Sequence, residues 1–489
     1  MNQYISVSMN LARCLTNSLF GVAVLLFFGM AYPHHLHYQE QYQLFLFDST
    51  YVWEIVKQPG GVADLLGRFC TQFFLYAWVG ALIIAVLLSA VQFLTLSILR
   101  SALPLRSAKN SHLSPLTSHL SPLASPSFVP AFLLWWFLLD ENALLGGVWA
   151  VLLTLLAVWG LLRLPGGWTR RIAILIAIPI LYWVAFGGSH YYRNPKIFPT
   201  LLYVAWLTAI ILPFLMKLVA RFQKREKAQQ QNNSLTSHLL PLTSYILCLL
   251  CGLCVVWQTA NFKAEKVMQY DFMARHQQWN RILATISAEK PNNQIGVTVQ
   301  NLALAMNGML IDHLFDFNQN GIAGLLPDVK TDATSPLPTA EAFYQLGMVY
   351  VAQRSVFEAQ EAILDFQKSG RCYKRLAETN LIIGSYAVAR KYLTALQKTL
   401  FYREWANETL QLLGNEEAIA NHPEYGRLRQ FVYKEDFFFG GHVSAEMLEG
   451  LYFSNTDNRL AYEYLVAYYM LTGDRERYNE LLRHTSTKQ

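Results

Sequence analysis

Three histidines stand close together at the start of a long polar stretch, and they are the first candidates for chemistry. His34, His35 and His37 supply imidazole nitrogens, which are common metal ligands. No carboxylate or cysteine accompanies them at a set spacing, and histidines are also common where a helix leaves the membrane interface. We therefore predict no metal site from this pattern.

Three cysteines form a second set with ligand-like spacing. Cys248, Cys251 and Cys254 follow one another at intervals of three residues. Cysteines whose thiolates bind iron–sulfur clusters can have this spacing. Successive steps of three residues wind around a helix, however, and this run is apolar and contains Gly252. We interpret the cysteines as small residues that serve close helix packing. The remaining cysteines are scattered and predict no disulfide framework.

The first half of the chain carries its acids in connections between apolar runs. In the stretch 33–71, aromatic and aliphatic residues alternate with Glu40, Asp48, Glu54 and Asp64. This pattern favours one or two helices that lie in the membrane interface. Acids in such a loop also satisfy topology and solvation without any chemistry, so both interpretations stay open.

The common soluble enzyme classes have no motif here. The chain lacks a phosphate-binding GxxxxGK[ST] loop, a Rossmann glycine run, HExxH and GxSxG. The apolar runs contain almost no ionisable side chains, which ion-coupled transporters usually need near the middle of the membrane. A transporter is therefore disfavoured.

The composition indicates lipid as the solvent for much of the chain, since 53% of the residues are hydrophobic and 15% are charged. A helix needs about 20 apolar residues to cross the hydrocarbon core. Seven stretches in residues 1–259 approach this standard, and we predict a bundle of about seven transmembrane helices. They lie near 13–32, 72–99, 127–140, 143–162, 172–188, 198–216 and 239–258, the third being short and followed by a turn at 140–142.

The charges of the connections predict the orientation. The connections 100–127, 163–171 and 217–238 hold eleven Lys and Arg residues against the single acid Glu226, so the positive-inside rule places them in the cytoplasm. With a cytoplasmic N-terminus, seven spans put the long loop 33–71 and residues 260–489 outside. In a Gram-negative bacterium this is the periplasmic side of the inner membrane.

Residues 260–489 show amphipathic helices separated by polar turns, which predicts a soluble all-α domain. Its helix pairs resemble tetratricopeptide-type repeats. The positions that match the repeat pattern are Leu346, Gly347, Tyr350 and Ala359, then Leu376, Gly384, Tyr386 and Ala389, then Leu465, Tyr469, Gly473 and Asp474. The whole chain also resembles an uncharacterised family of bacterial multi-pass membrane proteins with helical-repeat tails.

The layout of the first half resembles the membrane glycosyltransferases of the GT-C class, which join about seven spans to a long first outer loop with a catalytic acid. The resemblance assigns roles to the acids Asp48, Glu54, Asp140 and Glu141 and to the cations Arg68, His190 and Arg193. The acids would serve as base or metal ligand, and the cations would face a lipid-linked phosphate donor. The adjacent acidic pair of that class is absent from loop 33–71 and has its nearest equivalent at Asp140 and Glu141.

The leading hypothesis is therefore an integral inner-membrane protein of unassigned activity, whose outer helical-repeat domain binds a protein or an envelope polymer. Membrane lipids are the other expected partners. Nucleic acid is not, because the basic excess lies in short connections rather than on one solvated face. The alternative is a transferase that uses a lipid-linked sugar donor at the outer interface. No cofactor is predicted, and a divalent metal enters only with the transferase.

Overall fold

A computed structural model of the chain describes residues 18–102, 125–186, 191–194, 196–226, 236–328, 335–363, 367–433 and 444–486. In these ranges the secondary structure consists of helices, with isolated bridges but no β-strand. The predicted all-α class is confirmed.

The chain divides into two compact units. Unit 1 comprises residues 1–40 and 48–262, and unit 2 comprises residues 41–47 and 263–489. The division places a short piece of the long loop 33–71 in unit 2. We call this piece, residues 41–47, the strap.

Unit 1 consists of helices around an apolar core that contains Phe28, Leu88, Trp135 and Val148. Its helices are α1 (Ser18–Ala31), α2 (Pro33–Glu40), α3 (Ser49–Val56), α4 (Gly61–Thr71), α5 (Ala77–Ala102), α6 (Val129–Phe137), α7 (Gly146–Arg163), α8 (Trp168–Leu181), α9 (Thr200–Glu226) and α10 (Thr236–Thr259). The helix α6 packs against α5, α9 and α10, and α7 packs against α4 and α5.

The described part of unit 1 does not confirm the predicted seven spans. Three helices, α5, α7 and the stretch 168–185 that includes α8, are long and apolar enough to cross a membrane. The number rises to five if each of two bent helix pairs counts as one span. Two further apolar stretches are shorter, Pro126–Phe137 around α6 and Thr200–Leu212 in the first part of α9. A helix of 12 residues is about 18 Å long, which is less than the hydrocarbon thickness.

Unit 2 is a series of short helices. They are α11 (Phe262–Arg275), α12 (Trp279–Glu289), α13 (Gln294–Met306), α14 (Leu310–His313), α15 (Pro336–Leu346), α16 (Val349–Glu361), α17 (Gly370–Ile382), α18 (Tyr386–Leu396), α19 (Arg403–Leu412), α20 (Glu416–Asn421), α21 (Tyr425–Phe431), α22 (Ala445–Ser454), α23 (Arg459–Thr472) and α24 (Arg475–Ser486). Consecutive helices pack in pairs, notably α15 with α16 and α17 with α18.

Two glycines of the repeat pattern end the first helix of these pairs. Gly347 follows α15 with φ +90° and Gly384 lies two residues beyond α17 with φ +84°. Only glycine adopts this left-handed conformation without steric cost, and it allows the chain to turn into the next helix.

The helices in the middle of unit 2 are covered on all sides. Every residue of α15 is buried, including Glu341 and Gln345, and most of α13 and α17 is buried as well. The later helices α21 and α23 pack across them. The inner face that stacked helical pairs would otherwise leave open is thus filled by the same chain.

Candidate functional site

Two connections of unit 1 that are predicted to lie on the outer face meet through their backbones. The N–H of Arg193 donates to the carbonyl of Asn142 at 2.8 Å, and the N–H of Leu144 donates to the carbonyl of Tyr191 at 2.9 Å. This short antiparallel bridge brings the turn after α6 beside the segment that precedes α9. Two regions that are separated by a helical hairpin in sequence therefore share one site.

Asp140 is the central carboxylate of this site. Its Oδ1 accepts the N–H of Asn142 at 2.8 Å and its Oδ2 accepts the hydroxyl of Tyr192 at 2.7 Å. The neighbouring Glu141 takes part through its backbone carbonyl, which accepts Nη2 of Arg193 at 2.9 Å. The acidic pair is thus split, because one member contributes a carboxylate and the other contributes a peptide oxygen.

The helix α2 of the long loop completes the site. Arg193 donates from Nη1 to the hydroxyl of Tyr38 at 3.2 Å, and its guanidinium lies 5.1 Å from the centre of the Tyr38 ring. Gln39 donates to the carbonyl of Ala143 at 3.1 Å. We call Tyr38, Gln39, Asp140, Tyr192 and Arg193 the outer polar cluster. It joins a carboxylate, a guanidinium and two phenols from three separate segments.

His35 also holds α2 against this turn. Its Nε2 lies 2.9 Å from the carbonyl of Leu138, and the side chain is fully buried. Among the described residues, no group of three or more His, Cys, Asp or Glu side chains could hold a metal ion. The imidazole of His35 instead contacts the backbone of a neighbouring segment.

Two of the predicted acids, Asp48 and Glu54, lie at α3 of the long loop. The carboxylate of Asp48 caps the N-terminus of α3 and accepts the N–H groups of Thr50 and Tyr51, both at 3.1 Å. Glu54 is exposed on the same helix. Such a cap satisfies backbone donors that the first helical turn leaves open. Asp48 therefore has a structural role as the cap of α3, and its catalytic role stays a prediction.

The predicted cation Arg68 is engaged within its own helix. Its guanidinium pairs with the carboxylate of Asp64, with Nη2 at 2.8 Å and Nε at 3.0 Å from Oδ2. Both side chains are largely buried. A phosphate would have to compete with this carboxylate for the same donors. His190, the remaining predicted cation, lies outside the described residues.

A second polar cluster, in unit 2, was not predicted from the sequence. Its centre is Arg371, which donates to both carboxylate oxygens of Asp271 at 2.7 and 2.8 Å. The same guanidinium donates to the side-chain oxygen of Gln41 at 2.9 Å and to the carbonyl of Leu337 at 3.2 Å. Arg371 therefore links α11, α17, the strap and the start of α15.

One turn further along α17, Arg375 continues this network. It pairs with Glu341 at 2.7 Å and with Glu378 at 3.2 Å, and its guanidinium lies 3.6 Å from the centre of the Tyr344 ring. Burial raises the pKa of the Glu378 carboxyl, although the charge of Arg375 opposes the shift. Charged residues spaced four and three positions apart on a helix usually mark a solvated face. Arg371, Arg375 and Glu378 have this spacing, but they lie on a buried face of α17.

Comparisons with known proteins show the family of the chain. No curated protein and no solved structure matches it significantly. One family model, described as a family of unknown function (DUF6057), matches residues 8–190 and 184–489. These two matches together cover nearly the whole chain, so the protein belongs to this uncharacterised family.

Proposed function

We propose that the protein is an integral membrane protein that presents unit 2 on the outer face of the membrane, where unit 2 binds a protein or an envelope polymer. The apolar surface of unit 1 supports a membrane location. In α8 no residue is buried, and Trp168, Leu175 and Ile178 are 76%, 69% and 60% exposed. A helix with this surface is stable in lipid, whereas water would disfavour it.

The observation that carries the proposal is the place of the strap. Residues 41–47 fold with residues 263–489, so the loop after α1 and the whole of unit 2 belong on one side of the membrane. The number of crossings between residues 47 and 263 must then be even. This condition does not depend on the distribution of basic residues, and it agrees with the orientation that those residues predict.

The contacts of the outer polar cluster likewise restrict which of the remaining apolar stretches can cross the membrane. Gln39 on α2 contacts Ala143 after α6, and Asn142 contacts Arg193 before α9. Three connections that touch one another belong on one side of the membrane. Crossings between these connections then come in pairs, so α6 would cross with α5 and α8 with α7. This supports the proposed topology, in which α9 and α10 form a third pair and α1 is the seventh span.

We expect cysteine labelling to reproduce this topology. In a chain whose native cysteines are replaced by alanine, Glu54→Cys, Lys196→Cys and Glu417→Cys should react with a membrane-impermeant maleimide added to intact spheroplasts. All three positions are exposed. Gly166→Cys, in the exposed α7–α8 connection, should react only after permeabilisation. Protection of Glu417→Cys, or labelling of Gly166→Cys from outside, would contradict the proposal.

The outer helices of unit 2 offer a surface for a protein partner. Tyr350 and Phe357 lie two turns apart on α16 and are 51% and 50% exposed, and Arg354 lies exposed between them. Exposed aromatic and arginine side chains are enriched where proteins bind one another. Because the inner helices are covered, this outer face is the better candidate for the partner site.

A lipid-linked sugar transferase is the second candidate, and the outer polar cluster is the observation that favours it. Asp140 and Arg193 come together from separate outer connections, as a general base and a phosphate-binding cation would need to. If a divalent metal takes part in such a reaction, Asp140 is the carboxylate of this cluster that would bind it.

Asparagine substitutions separate the two candidates. Asp140→Asn keeps the acceptor oxygen for Tyr192 but removes the basic carboxylate. Asp457→Asn, at an exposed position of unit 2, is the control. Under our proposal, mass spectrometry finds the same envelope glycans in both variants and in the wild type. A glycan missing from the Asp140→Asn cells alone would establish the transferase instead.

A further inference from the structure

The strap is held in unit 2 as a bound peptide would be. We infer that unit 2 contains a binding site for an extended, uncharged peptide and that residues 41–47 are its resident ligand. The inference rests on the proposed role of unit 2 as a binding module and adds a second site, separate from the exposed face of α16. The strap sequence, QYQLFLF, contains no charged residue.

Backbone groups of unit 2 recognise the strap without regard to its side chains. The N–H of Leu44 donates to the carbonyl of Lys368 at 2.9 Å, and the N–H of Phe47 donates to the carbonyl of Lys398 at 2.7 Å. Lys368 precedes α17 and Lys398 follows α18. Since both carbonyls lie outside helices, they are available to a segment that crosses this end of the pair.

A buried arginine recognises one side chain. Arg371 donates to the amide oxygen of Gln41 at 2.9 Å while Asp271 holds the same guanidinium by two hydrogen bonds. Asp271 already neutralises Arg371, so a neutral amide suits this position and a carboxylate would meet a second buried acid. The ligand therefore needs a glutamine or a similar amide at its first position.

Apolar burial extends along the rest of the strap. Tyr42, Leu44, Phe45 and Leu46 are each less than 10% exposed, whereas Phe47 is 47% exposed. The backbone hydrogen bonds of Leu44 and Phe47 hold this apolar stretch along unit 2. Exclusion of these side chains from water favours binding, and it does so for any extended peptide with aliphatic and aromatic residues here.

The test replaces the strap in the full-length chain by a Gly/Ser segment of equal length and adds a fluorescent synthetic peptide of residues 39–49. In detergent, fluorescence anisotropy should show at least tenfold tighter binding to this variant than to the intact chain. In the intact chain the tethered strap has an effective concentration of about 1 mM and excludes the added peptide. Equal binding to both proteins would overturn the inference.

Altered peptides test the recognition of Gln41. A peptide with Gln41→Leu should bind about 10- to 100-fold more weakly, which is the effect expected from the loss of a hydrogen bond to a charged group. A peptide with Asp48→Asn, altered just beyond the strap, should bind like the parent. Unchanged binding of the Gln41→Leu peptide would show that no specific site exists.

A milder variant covers the case in which the Gly/Ser chain does not fold. Gln41→Leu and Leu44→Ser together weaken the strap but keep most of its apolar surface, and the parent peptide should again bind at least tenfold better than to the intact chain. Failure of both chains to bind it would overturn the inference. Since these measurements are made in detergent, they are independent of the labelling that tests the membrane topology.

Discussion

Replacing Arg371 by methionine is expected to lower the free energy of unfolding of unit 2 by about 3–5 kcal/mol. Asp271 and the side chain of Gln41 both lose their donor, and the Asp271 carboxylate is left buried without a counter-charge. Methionine fills a similar volume, so the loss reflects the missing charge and hydrogen bonds rather than a cavity. Urea unfolding of the full chain in detergent, followed by hydrogen–deuterium exchange of the unit 2 amides, measures the change.

An exposed ion pair of unit 2 supplies the control. Arg477 pairs with Glu446 at 3.4 Å, and these side chains are 44% and 67% exposed. Arg477→Met should change the free energy of unfolding by less than about 1 kcal/mol. The double variant Asp271→Leu with Arg371→Met should recover part of the stability, since no charge then stays buried alone. Equal effects of Arg371→Met and Arg477→Met would contradict our assignment of Arg371 as a structural centre.

Gly67→Ala is expected to destabilise unit 1 by about 3 kcal/mol, the upper end of the cost of overpacking. A Cβ atom at Gly67 would lie 2.4 Å from the backbone nitrogen of Gly146 and 2.6 Å from its Cα. Backbone atoms cannot rotate away as the end of a side chain can, so α4 and α7 would have to separate. The fraction of protein that stays monodisperse after heating in detergent should fall, and the midpoint temperature should fall with it.

Gly160 provides the matched control on α7 itself. An added Cβ there meets no atom within 4 Å. Alanine has a higher helix propensity than glycine by about 1 kcal/mol, so Gly160→Ala should leave the midpoint unchanged or raise it. If both substitutions lowered stability alike, the close approach of α4 and α7 would not be the reason for the effect at Gly67.

Local features of the fold could be predicted because helices depend on neighbouring residues. The spacing of apolar side chains indicates helices in both halves, and hydrogen bonds within each helix join residues only four positions apart. The turn predicted at Asp140 is equally local, since its carboxylate accepts a hydrogen bond from the backbone N–H of Asn142, two residues later. Such contacts lie within one turn of chain and can be recognised from its pattern.

The number of spans could be predicted less well. Apolar length alone marks α5 and α7 clearly, but it does not decide whether a short apolar helix such as α6 crosses a membrane or lies in a soluble core. Contacts between the neighbouring connections bear on that question. Gln39 and Ala143, for example, are separated by 104 positions in the sequence.

The candidate sites were predicted only in part for the same reason. The sequence shows the charges of Asp140 and Arg193 and predicts an outer position for both, whereas the contact of Arg193 with Tyr38 spans 155 positions. The buried network around Arg371 had no recognisable signal. Its partner Gln41 lies 330 positions away, in a loop that was assigned to the other half of the chain.

The sequence by itself determined the all-α class and the division into an apolar and a polar half, and it predicts the side of the membrane on which the basic connections lie. Each of these follows from residue type and short-range spacing. The tertiary structure decided that Asp140 and Arg193 meet Tyr38 in one cluster and that a piece of the first loop belongs to unit 2. Burial of the strap and of the Arg371 charge requires surfaces from several distant helices, and those surfaces exist only once the chain has folded.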